Sequence, residues 1–182
     1  MATVILKTNK GDITLKLDEQ SAPITTQNFL NYVESGHYDG TIFHRVIGGF
    51  MIQGGGLDQD MMNKPTNNPI QNEANNGLKH AIGVIAMART NDPHSATSQF
   101  FINVAPNDFL NFTSETPRGW GYCVFGKVAD EKSMEVVMKI SHVNTVNRNG
   151  YQDVPEEAIV IQKAEVVNEL ERSLTSEAAA TR

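Results

Sequence analysis

The strongest constraint on this chain is its hydrophobic rhythm: short runs with apolar residues at every second position, cut by turn residues. Residues Asp12 to Asp18 alternate strictly, with Ile13, Leu15 and Leu17 on one face and Thr14 and Lys16 on the other. That is the pattern of a strand buried on one side only. Thr3 to Thr8 is its expected partner, and Asn9-Lys10-Gly11 supplies a short turn with glycine where φ can be positive. Further strands are expected at Thr41–Val46, Phe50–Gly54, Ile82–Ala88, Ser98–Val104, Tyr122–Ala129 and Ala158–Val167, which makes eight. Only two segments carry helical spacing. Ser21–Ser35 holds Pro23 in its first turn, buries Phe29, Leu30, Val33 and Tyr32, and stops at Gly36. Asp130–Ile140 opens on a good N-cap, and Met134, Val137 and Met138 follow at i, i+3, i+4 as core filler. Many short strands with two helices predict a mainly β domain, with a sandwich and a closed barrel both open at this point.

A length of 182 residues suits one domain. Residues 1–168 are expected to form it, and 169–182 to be a polar tail, frayed or briefly helical through Leu170 and Leu174. Fifteen basic residues against 21 acidic give a net charge of −6. That average field repels a phosphate backbone, so nucleic acid is not an expected partner. Cys123 is the single cysteine, which rules out an intrachain disulfide and a cysteine-rich zinc site. It also suits a reducing compartment. The opening apolar run, Val4 to Leu6, is too short for a secretory signal, and no stretch approaches a membrane span. A cytoplasmic protein is expected, with no membrane association. Two long polar loops, about 55–79 and 106–121, interrupt the strands, and loops of that length commonly serve binding.

The usual catalytic signatures are missing from the sequence. His37, His44, His80, His94 and His142 show no metal-motif spacing, so neither a metal nor a cofactor is expected. Gly54-Gly55-Gly56 follows a strand, but no Gly-Lys-Ser/Thr follows it. There is no G-x-S-x-G elbow and no nucleophile-plus-base constellation. What remains is one arginine near apolar and amide side chains. Strand parity puts Phe43 and Arg45 on one face, and Met51 and Gln53 on one face of the next strand. In Ser98–Val104 it separates Gln99, Phe101 and Asn103 from the core set Phe100, Ile102 and Val104. An aromatic between two amides is either a platform for an apolar ligand group or a ring packed beneath a long loop; parity alone favours the packed ring.

At these same residues the sequence resembles the cyclophilins. The motifs are FHRVIGGFMIQGG (43–55), GVIAMAR with SATSQFFINV (83–104) and YCVFGKV (122–128), in that order. The similarity covers about Thr3 to Val167, and NEANNGLKH, MART, DFLNF and GWGYCVFG look like the compact bacterial cytoplasmic branch. The resemblance implies an eight-stranded antiparallel barrel capped by two helices, with its active site on the outer surface. It implies peptidyl-prolyl cis-trans isomerase activity in protein folding, on proline-containing peptides and on unfolded or folding clients, by a monomer. Carried over position by position, the catalytic arginine falls on Arg45 and the supporting amide on Gln53. The proline pocket falls on Phe50, Met51, Phe101 and Leu110, and the substrate groove on Gln99, Ala88 and Arg89. Three positions depart from many eukaryotic members: Phe109 stands for Trp, Tyr122 for His, and Arg89 for Asn. The loop 111–121 is longer than theirs, and its Trp120 is not the family's pocket Trp. Weak cyclosporin binding is therefore expected.

Overall fold

The computed structural model describes residues 1–167. The expected polar tail, with Leu170 and Leu174, lies outside the described residues. Strands β1 (Ala2–Thr8) and β2 (Gly11–Leu17) form the opening hairpin, with Thr8 opposite Gly11. Helix α1 (Pro23–Glu34) follows. Then come β3 (Thr41–Ile42), β4 (Arg45–Ile47), β5 (Met51–Gly54), β6 (Val84–Met87), β7 (Phe100–Asn103) and β8 (Val124–Val128). Helix α2 (Glu131–Ser141), a hairpin of β9 (Thr145–Arg148) and β10 (Tyr151–Pro155), and β11 (Val160–Val167) complete the described chain.

The main sheet is antiparallel and runs β3-β11-β1-β2-β8-β6-β7-β5-β4. Its two end strands, β3 and β4, are consecutive in the chain and joined through Phe43-His44. The chain itself thus links the two end strands of the sheet. Counting β3 and β4 as one interrupted strand gives the eight expected from the sequence.

That interruption corrects one expectation. Thr41–Val46 is not a continuous strand, and Phe43 and Arg45 do not share a face. Phe43 is fully buried, edge-on to Phe100 at 6.0 Å, whereas Arg45 is exposed. The reason is a change of pairing partner. Phe43 N–H makes the last bond on the β11 side, to Ile159 O, before the chain turns through His44 to pair with β5, and strict alternation of faces holds only within a regular pleat. The β9–β10 hairpin was also absent from the expected strands. Its signal was present in Asn149-Gly150, which adopt positive φ of 51° and 82° at the turn.

The core fills the space between the sheet and α1. Phe29 of α1 meets Tyr38, Phe100 and Phe125 at ring distances of 5.0, 5.6 and 5.2 Å. At the C-terminal end of α1, Gly36 takes φ +77°; its N–H reaches Val33 and that of His37 reaches Tyr32, closing the last turn. At the other end Glu73 accepts from the backbone N–H of Thr25 at 2.7 Å and of Ile24 at 3.3 Å. Asp130 caps α2 by accepting from Ser133 N–H at 2.8 Å. Val137 and Ile140 of α2 are buried, with Met134 and Met138 half-buried against the same core. No described helix is long and apolar enough to cross a membrane.

Candidate active site

Register across β4, β5, β7 and β6 builds the site. Val46, Ile52, Ile102 and Ile85 lie opposite one another and point into the core. The adjoining row is Arg45, Gln53, Phe101 and Ala86, so these four side chains share the other face. Ile47, Met51 and Asn103 form the next row on that side. Phe101, Ala86, Met51 and Val124 then make a second apolar cluster outside the main core. The face expected for Phe101 is therefore the one it occupies, and both readings of the ring hold in part. Phe101 is 5% exposed, packed against Tyr122 and His80, and one of its surfaces floors a pocket.

That pocket has a volume of about 130 Å³. Phe50, Met51, Phe101 and Leu110 supply apolar lining, Arg45 and Gln53 polar lining, and Ala88, Arg89 and Tyr122 complete it. Nine of the eleven residues expected at the site thus line one concavity. Gln99 lines an adjoining pocket of about 180 Å³ that shares Gln53, Ala88 and Arg89 with the first. Phe109 lines neither pocket. It stands 75% exposed at the rim, its ring stacked on Phe50 at 5.7 Å.

The polar edge is a relay of amides. Gln99 Oε1 accepts from Gln53 Nε2 at 3.0 Å, which fixes the orientation of the Gln53 amide. Gln53 Oε1 is thereby turned to Arg45, whose Nη1 donates to it at 3.4 Å. Gln99 is held from behind by the glycine run. A Cβ at Gly56 would meet the Gln99 amide carbon at 2.7 Å, and one at Gly55 (φ +90°) would meet the Phe100 ring at 2.7 Å. Gly54-Gly55-Gly56 thus serves close packing under the site.

Arg89 is fixed differently. Its Nε and Nη2 donate to Gly121 O at 3.0 and 2.8 Å, and Nη1 donates to Thr90 O at 2.8 Å. Its guanidinium carbon lies 4.4 Å from the centre of the Tyr122 ring. Trp120 is buried against Phe112 and His94 in the neighbouring loop, away from the pocket lining.

Two residues supporting the pocket, His80 and Asn107, were not among the expected set, and Asn103 was expected only as an outward amide. His80 stacks on Phe101 at 5.9 Å with ring planes 9° apart. Its Nε2 lies 2.8 Å from Tyr122 O, a pure acceptor, so Nε2 carries the hydrogen. Nδ1 then accepts from Asn103 Nδ2 at 3.0 Å. Asn103 Oδ1 accepts from Asn107 Nδ2 at 2.6 Å, and Asn107 Nδ2 also donates to Phe50 O at 3.0 Å. Burial lowers the His80 pKa, in keeping with this neutral tautomer. The network joins the backbones of Phe50 and Tyr122 beneath Phe101. Asn103 was expected to present its amide outward; it is fully buried because His80, from a distant loop, covers it.

Fold and site together define a class: a mainly β protein whose outer sheet face sets a guanidinium beside a small, partly apolar pocket. Among the described residues no group of three His, Cys, Asp or Glu side chains could hold a metal ion. Residues 3–166 match the family described as cyclophilin type peptidyl-prolyl cis-trans isomerase/CLD. The chain is 58% identical to peptidyl-prolyl cis-trans isomerase cyp18 of Streptomyces antibioticus over 167 residues, covering 92% of this chain and 99% of the relative. It is 56% identical to peptidyl-prolyl cis-trans isomerase B of Escherichia coli, over 90% of this chain and 98% of that one. Among solved structures it is similar to a Cryptosporidium parvum cyclophilin type isomerase crystallised in the presence of the dipeptide Ala-Pro. The TM-score is 0.72 at 27% identity, covering 91% of this chain and 99% of that one. The chain belongs to the cyclophilin-type peptidyl-prolyl cis-trans isomerase family.

Proposed function

We propose that residues 1–168 catalyse rotation about X–Pro peptide bonds at this pocket and so assist protein folding in the cytoplasm. The observation that carries the reading is the guanidinium of Arg45 at the mouth of an apolar, ring-sized pocket on the outer sheet face. Rotation breaks no covalent bond. Its obstacle is lost amide resonance, a barrier of about 18–20 kcal/mol. In the planar amide the proline nitrogen shares its lone pair with the carbonyl; in the twisted transition state the pair is localised on nitrogen. A donor held at that nitrogen stabilises the twisted state more than either planar state, and only such a difference accelerates the reaction. Arginine suits the task because it stays charged and carries several donors in a rigid plane.

A preorganised donor contributes about 10²–10³ in rate, so the pocket must contribute too. A twisted amide is less dipolar than a planar one, and walls of Phe50, Met51, Phe101 and Leu110 favour it relative to water. A ring clamped there would leave the chain preceding the proline to the groove at Gln99, Ala88 and Arg89, which the second pocket continues. NMR exchange spectroscopy on an X–Pro peptide tests the reading. Cis and trans signals should exchange far faster with the protein than without it, against an uncatalysed time of about 10–100 s. Binding without faster exchange would make the protein a proline-recognition module instead.

A further inference from the structure

Arg45 and Arg89 both line the ring pocket, and Arg89 also lines the adjoining one. No carboxylate lines either pocket. The ion pair Lys7–Glu165 lies elsewhere in the molecule. Neither guanidinium has a carboxylate partner within 4.0 Å among the described residues. The donors of Arg89 go to neutral carbonyls, which fix its position and leave its charge uncompensated. Asp92 belongs to the loop that flanks the second pocket but lines neither; its carboxylate turns back to accept from His94 N–H at 2.9 Å. Asp108, beside the rim residue Phe109, lines neither as well. In a chain of net charge −6, the groove thus carries the opposite sign to the molecule. A concave surface with low-dielectric walls focuses such a field.

We propose that the groove selects X–Pro segments that carry an acidic side chain within the two residues before the proline, and that Arg89 is the residue that sets this preference. The proposal rests on the isomerase reading above. On that reading the residues preceding the proline enter the second pocket, whose lining, with Arg89, Thr90, Ser95 and Thr97, holds no carboxylate. A carboxylate there meets a guanidinium already immobilised on Gly121 O and Tyr122, so little ordering opposes the contact. A lysine at the same place is repelled by both arginines.

The test is kcat/KM by NMR exchange for three peptides identical except for Glu, Gln or Lys two residues before the proline. The readout is the Glu-to-Lys ratio. It should be about fivefold at low salt, the scale of an accessible ion pair. It should approach unity at about 0.5 M salt, where such charges are screened. Arg89→Lys should keep most of the ratio, and Arg89→Gln should lose most of it, whatever either change does to the absolute rate. A role for Arg89 confined to anchoring Gly121 would lower rates in both variants and leave the ratio unmoved; that outcome overturns the proposal. So does a ratio of unity in the unaltered protein at low salt. If the Gln peptide is not turned over at all, the isomerase reading fails instead.

Discussion

Phe109 shows how much one side chain at the rim can decide. It stacks on Phe50 with most of its ring in water, which keeps an aromatic wall beside the pocket without entering it. Relatives with Trp at this position offer an indole N–H as well; Phe109 has no donor. One lost hydrogen bond costs about 0.5–1.5 kcal/mol net, and the smaller ring adds lost contact area. Cyclosporin should accordingly bind at least about tenfold more weakly than to Trp-bearing relatives. Phe109→Trp should regain part of the affinity with turnover retained, since the ring pocket closes without residue 109. Calorimetric titration of both proteins checks this. Tight binding by the unaltered chain, or no gain from the indole, would count against the donor argument.

Strand β7 carries the sharpest contrast between neighbouring residues. Phe100 is fully buried among Phe29, Tyr38 and Phe43, while Phe101 faces the pocket from the other side of the sheet. Phe100→Ala should cost about 3–5 kcal/mol of stability, as large core truncations do. Phe101→Ala should chiefly raise KM and lower turnover in a protein that still folds. Denaturant melts beside kinetics on both variants would separate the roles, and the reverse pattern would mean the faces are exchanged. These faces were legible in the sequence because β7 is a regular pleat and its period of two survives folding. The turn ahead of β2 and the Asp130 cap were legible for similar local reasons. The break at Phe43-His44 was not, since it arises where a strand changes partners, a property of the whole sheet. Nor was the carboxylate of Glu73 on the N-terminus of α1, 48 residues away along the chain from Thr25. The His80–Asn103–Asn107 network was hidden too, because alternation shows which way Asn103 points and not what covers it. Gathering Arg45, Gln53, Phe101 and Tyr122 required the family resemblance; periodicity alone left the ring of Phe101 with two readings.

At the scale of the whole molecule, buried histidines couple stability to pH. His44 is 4% exposed, sits edge-on to Tyr151 at 5.8 Å, and has no hydrogen-bond partner at Nδ1. Burial, with the neighbouring Arg45 charge adding to it, lowers its pKa from 6.5 to about 4. Burial lowers the pKa of His37 and His80 as well. Between the unfolded value of 6.5 and the folded value of about 4, the unfolded chain binds the proton that folded His44 refuses. Stability from this source is complete above 6.5 and is lost as pH falls toward 4. The denaturant midpoint should therefore drop across that window, and less steeply in His44→Leu, which also removes an unpaired ring nitrogen. Equal slopes for the two proteins would show that His44 is not a source of the acid sensitivity.

The central claim is that a single guanidinium, turned by Gln53 and Gln99 toward an apolar pocket, stabilises the twisted amide. Its most direct test is kcat/KM for X–Pro exchange by NMR in Arg45→Ala, with the fold verified by an unchanged denaturant midpoint. Because Arg45 is exposed and outside the core, the midpoint should hold. The rate should fall by about 10²–10³, the contribution of one preorganised donor, and Arg45→Lys should recover little because an ammonium lacks the planar fork. A folded Arg45→Ala protein that retains near-original activity would contradict the account.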